Sequence, residues 1–430
     1  MTSTTRGSGV TMVGISALDE ASTIGAVTRA ADAGLATLSG RPDDRMIVLA
    51  DNGSTDGTPE AFLDVPAGSP RHVITSPRDH SGKGTNVLAL IDMALAHNAR
   101  RLVLLDADVR SCEPGWVTKL AGAVDTESPA LATPIYRRNR HEANITNHLA
   151  GPLVAALFGS YVQQPIGGEF ALNAGLLQRI RTWPVPTSAR YYGIDIWLTA
   201  NALRERHRVA NVYLGRKVHD PAFRNILHMP HQVLDALLDV AGHLGPPRPT
   251  DLANLSKMLG VDDAPARYDL RSAELISAIS ARYLDEYRDD ITELLPGTRA
   301  LRSAPWGLRI TTEDWPPLLA DAVLAASTSE PSRVRDHLVA LYMSRVFSYR
   351  DEIDSLDLND ITKLLTWQIE HTVREVAARP VTFGAGGRRA TTECGATTAR
   401  GKPAARDGAA ACDEARGPYD RGRWAQFPTS

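Results

Sequence analysis

The chain has 430 residues, 43% of them hydrophobic and 23% charged, which is a globular composition at a length of about two or three domains. Its 47 basic and 50 acidic side chains leave a formal net charge of -3, which excludes the basic surface of a general nucleic-acid binder. Three cysteines, Cys112, Cys394 and Cys412, supply neither a disulfide framework nor a zinc spacing, and no apolar run has the length of a membrane span or an export signal. A cytoplasmic protein without a membrane span is expected.

After a flexible start over residues 1–10, Thr11 to Ala17 reads as a strand and Ser22 to Leu38 as a helix. Arg45 to Ala50 is a second strand, His72 to Thr75 a third, Asn86 to Ala96 a helix, and Arg101 to Leu105 a fully apolar strand. Strands and helices alternating in this way predict a mostly parallel sheet with helices on both faces. Ligands of such sheets bind at the carboxyl ends of the strands. The polar clusters lie there: Asp19 and Glu20, Asp51 to Asp56, then Asp106 and Asp108.

Pro129 to Arg138 reads as a short strand running into a basic loop, and Asn147 to Phe158 as a helix. Gln163 to Asn173 carries Gly167, Gly168 and Glu169 in a turn; next come a helix over Tyr191 to Arg206, a strand over His207 to Leu214 and a helix over His231 to Ala241. Gly245 to Thr250 is a break. Beyond it the periodicity predicts helices at Ala273 to Leu295, Leu318 to Ala326, Ser332 to Tyr349 and Leu358 to Ala378. The division expected is a nucleotide-binding domain over 11–244, a helical domain over 251–380 and a disordered tail over 381–430, rich in Gly, Ala, Arg and Thr.

The sharpest chemical signal is Asp106-Ala107-Asp108, directly after an apolar strand. Two carboxylates so placed can hold magnesium or manganese, which prefer oxygen ligands and keep positions open for phosphate oxygens. The metal would neutralise charge on a leaving diphosphate. In Ala50 to Thr58, Asn52 and Gly53 suit a tight turn and Asp56 or Thr58 a helix cap, while Asp51 sits where a base or ribose could be bound. Ser81-Gly82-Lys83-Gly84 lacks the leading glycine and the hydroxyl residue of a Walker loop, but a lysine opening a helix suits a nucleotide. Glu169 and Asp195 lie beside flexible backbone, where they could orient sugar hydroxyls, and His219 could be a third metal ligand as a neutral imidazole. Arg137, Arg138 and Arg140 form either a solvated rim or a site for a phosphate or carboxylate.

SALDEASTIG, LADNGSTDGT, SGKGTN, LLDADV, QPIGGEF, YGIDI and VYLGRKVH occur in the order seen in retaining glycosyltransferases of the GT-A fold. Over roughly residues 10 to 240 the chain resembles the glucosylglycerate and glucosyl-3-phosphoglycerate synthases, and its later helices resemble the extension of the longer synthases. The resemblance implies a GT-A α/β fold with a mainly helical C-terminal extension. It implies that Ala17, Leu18, Glu20, Asp51, Lys83 and Asp106 hold the nucleotide sugar, and that Asp106, Asp108 and His219 hold Mg2+ or Mn2+. Asp108, Glu169 and Asp195 are the catalytic candidates, with Asn144, Thr146, Arg137 and Lys217 as acceptor contacts.

Where the phosphoglycerate enzymes carry an arginine before Val-Thr, this chain has Asn144-Ile145-Thr146, and the family's Arg-Asn-Arg after the histidine is Asp220-Pro221-Ala222. Asparagine forms no bidentate phosphate clamp. The expected reaction is therefore retaining transfer of a hexose, glucose favoured, from UDP-glucose or GDP-glucose to the 2-hydroxyl of D-glycerate, giving glucosylglycerate, a compatible solute. The alternatives are glucosyl-3-phosphoglycerate or mannosylglycerate synthesis, and a catalytically silent nucleotide-sugar binder. Nucleotidyltransfer is disfavoured by the acidic loop after the first strand. The expected partners are the donor, a small hydroxy acid and a second copy of the chain in a homodimer.

Overall fold

A computed structural model describes residues 9–39, 41–78, 82–124, 128–219, 227–252, 255, 260–264, 270–328 and 331–383, without the side chains of 270–272. Strands β1 (Thr11–Ala17), β2 (Arg45–Asp51), β3 (Arg71–Thr75), β4 (Arg101–Asp106), β5 (Leu131–Asn139), β6 (Phe170–Asn173) and β7 (Val209–Arg216) build one sheet in the order 3-2-1-4-6-5-7. All neighbours pair in parallel except β6, which runs antiparallel to both β4 and β5. The mostly parallel α/β sheet expected from the sequence is therefore present. Register sets where the acids stand: Ala17 pairs with Asp51 and Ser16 with Asp106, so β1, β2 and β4 end at one level with Asp51 and Asp106 on the two strands that flank β1.

Side chains alternate between two cores, as the pleat requires. Val13, Ile15, Ile47, Leu49, Val103 and Leu105 pack on the face covered by α1 (Ile24–Leu38) and α4 (Pro114–Ala123). Met12, Val48, Ala50, Leu102 and Leu104 pack on the other, with α3 (Lys83–Ala96), α5 (Gly151–Phe158), α6 (Ala174–Ile180), α7 (Ile194–Arg204) and α8 (His228–Ala241). The short helix α2 (Thr58–Leu63) completes this half.

The second half adds α9 (Leu270–Glu286), α10 (Arg288–Leu294), α11 (Trp315–Thr328), α12 (Pro331–Ile353) and α13 (Leu358–Ala377). The single helix expected over Ala273 to Leu295 breaks into α9 and α10 at Tyr287, whose backbone is no longer helical. Besides a two-stranded hairpin at 302–309, this half gives strand β8 (Gly260–Asp262) to the main sheet, parallel to the end of β5. Its helices share the second core: Leu318, Leu338 and Val376 join the same cluster as Leu153 and Leu234. The fully buried Trp315 also donates from its indole to the His148 carbonyl at 2.6 Å. Losing a side chain of that size from a core costs about 3–5 kcal/mol. Among the described residues no helix is long and apolar enough to cross a membrane. The tail beyond Phe383 and the segment Asp220-Pro221-Ala222 lie outside the described residues.

Candidate active site

The loops after β1 and β2 are stitched to each other. The Asp19 amide donates to Ser54 Oγ, that of Glu20 to Thr58 Oγ1 at 2.7 Å and that of Ala21 to Asp56. Asp19, at a φ of 56°, also accepts from the Thr55 amide and pairs with Arg78. Asp51 is buried, and both its oxygens accept from Gly53 and Ser54 of its own loop. It thus acts here as an Asx-type brace. Ala17 is buried at the strand end and Leu18 beside it is 43% exposed, an apolar patch at the mouth of this edge.

Lys83 opens α3, and its ammonium lies 2.9 Å from Asp106 Oδ1 and 3.1 Å from Asp195 Oδ2. The flanking glycines make that position possible. A Cβ on Gly84 would collide with the Ala189 carbonyl, and one on Gly82 with the Tyr191 ring. The Gly84 amide donates to the Tyr191 carbonyl, so the Lys83 loop is packed directly onto the segment that leads into Asp195.

Lys217, just after β7, is also buried. Its ammonium reaches Asp106 Oδ2 at 3.3 Å, the Gly167 carbonyl at 2.9 Å, and both Glu169 oxygens at 3.0 and 2.8 Å. Tyr136 of β5 donates its hydroxyl to Glu169 Oε2 at 2.6 Å. Gly168, at a φ of 87°, is the third glycine that geometry demands, since a Cβ there would overlap the Asp106 carboxylate. Asp108 stands at the edge of this cluster, with its Oδ2 3.8 Å from His219 Nδ1. The other ring nitrogen of His219 lies 3.3 Å from the Arg138 guanidinium, which also holds Glu142.

Four carboxyls, Asp106, Asp108, Glu169 and Asp195, thus share the two ammonium groups of Lys83 and Lys217. Burial alone would raise Asp106, but Lys83 and Lys217 hold it well below the usual carboxylate range. Burial and the Asp106 charge push Asp108 up, burial pushes Asp195 up against the pull of Lys83, and Glu169 is pushed up to about 7 by burial against the pull of Lys217. The cluster therefore holds more carboxyls than cations, and burial disfavours the ionised form of three of them. Cys112, with a thiol pushed up to about 12 by burial and by Glu169, stays protonated and is no nucleophile.

The acceptor candidates scatter. Strand alternation sets the exposed Arg137 on the opposite face of β5 from Tyr136 and Arg138. Lys217 belongs to the carboxylate cluster. The Asn144 side-chain amide donates to the His141 carbonyl, and buried Thr146 begins a π-helical turn before α5; neither touches the cluster. Among the described residues no three His, Cys, Asp or Glu side chains converge as a metal site. Asp108 and His219 approach each other, while Asp106 is spent on the two lysines. Sequence reasoning missed Tyr136; the alternation of β5 into YRRNR, continued past Arg138, is the signal that would have turned it inward.

Residues 13–178 match the family described as Glycosyl transferase family 2. The matched segment runs from β1 to β6 and includes the acid-lined carboxyl edge of the sheet, less than half of the chain. Among solved structures the chain is similar to glucosyl-3-phosphoglycerate synthase from Mycobacterium tuberculosis in complex with phosphoglyceric acid, at 25% identity over 57% of this chain and 88% of that one, with a TM-score of 0.44. The same synthase with Mn2+, UDP-glucose and phosphoglyceric acid gives the same figures, 25%, 57%, 88% and 0.44. A mycobacterial protein matches at 27% identity over 54% of this chain and 75% of that one, with a TM-score of 0.43. No curated protein matches the chain.

Proposed function

We propose that the protein transfers a hexosyl group, glucose first, from a nucleoside diphosphate sugar to the 2-hydroxyl of D-glycerate with retention at the sugar carbon. The observation that carries this reading is the unbalanced carboxylate cluster at the carboxyl edge of the sheet, where a nucleotide ligand of such a fold binds. The donor set suits a divalent cation. Asp108 is disfavoured as a bare carboxylate, and His219 beside it offers a neutral nitrogen. Asp108 and His219 would hold Mg2+ or Mn2+, which supplies charge neutralisation for a departing diphosphate.

The chain's own residues do the rest. Lys83, fixed between Asp106 and Asp195, supplies a permanent positive charge at the N-terminus of α3, where phosphate oxygens are favoured. Asp195 and Glu169 orient sugar hydroxyls. Glu169 is unsuited to covalent attack because both its oxygens are held by Lys217 and Tyr136. That favours front-face attack, in which the leaving phosphate takes the acceptor proton. Preorganised charges of this kind act without reorganising during the reaction.

A phosphorylated acceptor, such as the phosphoglyceric acid bound in the solved mycobacterial synthase, is the second reading; the observation for it is Arg138 near the end of β5. An endpoint matrix tests both. UDP-glucose, GDP-glucose and GDP-mannose are each mixed with D-glycerate or 3-phosphoglycerate, with Mg2+, Mn2+ or EDTA, and products are read by mass spectrometry. Metal-dependent product with glycerate is expected. Product with phosphoglycerate alone moves the acceptor to the second reading. No transfer and no metal-dependent donor hydrolysis leaves a nucleotide-sugar binder.

A further inference from the structure

A cavity lined by Arg138 opens beside the cluster. It lies between the end of β5, the turn at Gln163 and Gln164, and the helical extension. Arg138 and Gln164 face Val261 of β8, Tyr349 of α12 and Leu365 of α13 across it. The volume open to the centre of a water-sized group is about 10 Å³. Room for about one water-sized group at the bottom admits the tip of a ligand and not a second sugar ring.

Two features mark it as a site. Gln164 is only 5% exposed and makes no side-chain hydrogen bond to any described residue. Its neighbour Gln163, by contrast, is fully engaged, accepting from the Tyr136 amide at 3.0 Å and donating to the Tyr136 carbonyl at 3.2 Å. The Gln164 amide is thus open to a hydrogen-bonding group that enters the cavity. The second feature is connection to the reaction centre: the Arg138 guanidinium spans from this cavity to His219, 3.3 Å away. Arg138 already meets one carboxylate, Glu142 at 3.2 Å, and has its remaining donors for His219 and a ligand, whereas Arg140 is held by both Asp263 oxygens and by the Ile353 and Leu356 carbonyls.

We propose that this cavity seats the carboxylate end of the acceptor, with Arg138 as its charge partner and Gln164 as its amide donor. On this view the helical extension, through Val261, Tyr349 and Leu365, limits the length of acid that fits. The assignment rests on the transferase reading. It also gives the extension a part in specificity beyond support of the core.

The test is D-glycerate binding followed by calorimetry, on the full chain with UDP and Mn2+ present, for wild type, Gln164→Leu and Val261→Phe. Gln164→Leu keeps the volume and removes the amide; Val261→Phe fills the cavity from the extension's side. UDP binding and the melting temperature, measured on the same samples, report whether the variants fold. Glycerate affinity is expected to fall at least about tenfold in both variants while UDP affinity holds. Glycerate binding within twofold of wild type in both folded variants, or none to the wild type, overturns the proposal. If the wild type binds neither UDP nor a donor sugar, the transferase reading itself fails, which is a distinct outcome.

Discussion

Two regions of this molecule bury charge, and they do so in opposite ways. In the extension, Arg345 is fully buried and its guanidinium meets Glu352 at 2.7 Å, Thr312 Oγ1 at 2.7 Å, the Ile310 carbonyl at 3.1 Å and Gln368 at 3.3 Å. Glu352 in turn accepts from the Thr312 amide and hydroxyl. One cation faces one anion, and the donors are met. At the sheet edge, four carboxyls share two ammonium groups, and three of the four are pushed above their ordinary values. A balanced buried pair is scaffold. An unbalanced one is held in its strained charge state by the fold around it and is the place to look for a missing cation.

Substitution should separate the two. Asp108→Asn removes one of the excess negative charges, so transfer is expected to drop about a thousandfold while the fold gains or holds stability. The sign comes from the raised Asp108 carboxyl: its ionised form is disfavoured in the folded state, so the neutral amide relieves the fold at neutral pH. Steady-state kinetics and a melting curve on the same protein check both halves. A fall in melting temperature to match the fall in activity would place Asp108 among the scaffold residues.

Arg345→Ala should do the reverse. Removing one partner of a buried pair leaves Glu352 uncompensated, at a cost of about 3–5 kcal/mol, while the activity of the folded fraction stays intact. Replacing both partners, with Arg345→Met and Glu352→Leu, should return much of that stability, as urea unfolding would show. Gly84→Ala tests how tightly the cluster is positioned. The new methyl must displace the Ala189 backbone and with it Lys83, so kcat/KM for the donor should fall roughly 10- to 100-fold with little loss of fold.

The smallest effect concerns pH. Burial, with Arg335 nearby, pushes His231 of α8 down to about 3, so it is neutral in the folded chain. Its ordinary value lies near 6.5, so the stability it contributes is complete above that pH and is lost as pH falls from about 6.5 towards 3. The slope is at most about 1.4 kcal/mol per pH unit per group. His231→Gln should flatten the acid side of a melting-temperature profile between about pH 7 and 5. An unchanged profile would assign that limb to other groups, among them His148, which burial also holds well below its ordinary value.

Much of the sheet was legible from the sequence because its strands are short apolar runs with acids at their ends. The start of β1, the end of α1, and β4 with its Asp106 fall within a residue or two of where the pattern puts them. Strand β6 was not legible. Phe170–Asn173 is four residues long and comes directly after Gly167-Gly168-Glu169, so it reads as part of the turn. Helix α4, beginning at Pro114, was missed because its apolar face is short. Of the site, Asp106, Asp108, Glu169, Asp195, Lys83 and His219 stood out, but their partnerships did not. Lys83 meets Asp195, 112 positions away, because the start of α3 packs on the segment leading into α7, and Lys217 meets Asp106, 111 positions away, because the sheet brings the ends of β4 and β7 to a common edge. Lys217, read as an acceptor contact, is the counter-charge of Glu169.

The central claim is that the carboxylate cluster takes up a divalent cation together with the donor's diphosphate. Calorimetric titration of UDP and of GDP into the protein, once with Mn2+ and once with EDTA, tests it most directly. The expected result is at least about tenfold tighter binding of one nucleotide with Mn2+ in the wild type, and no such gain in Asp108→Asn. Equal affinity with and without the metal for both nucleotides would contradict it.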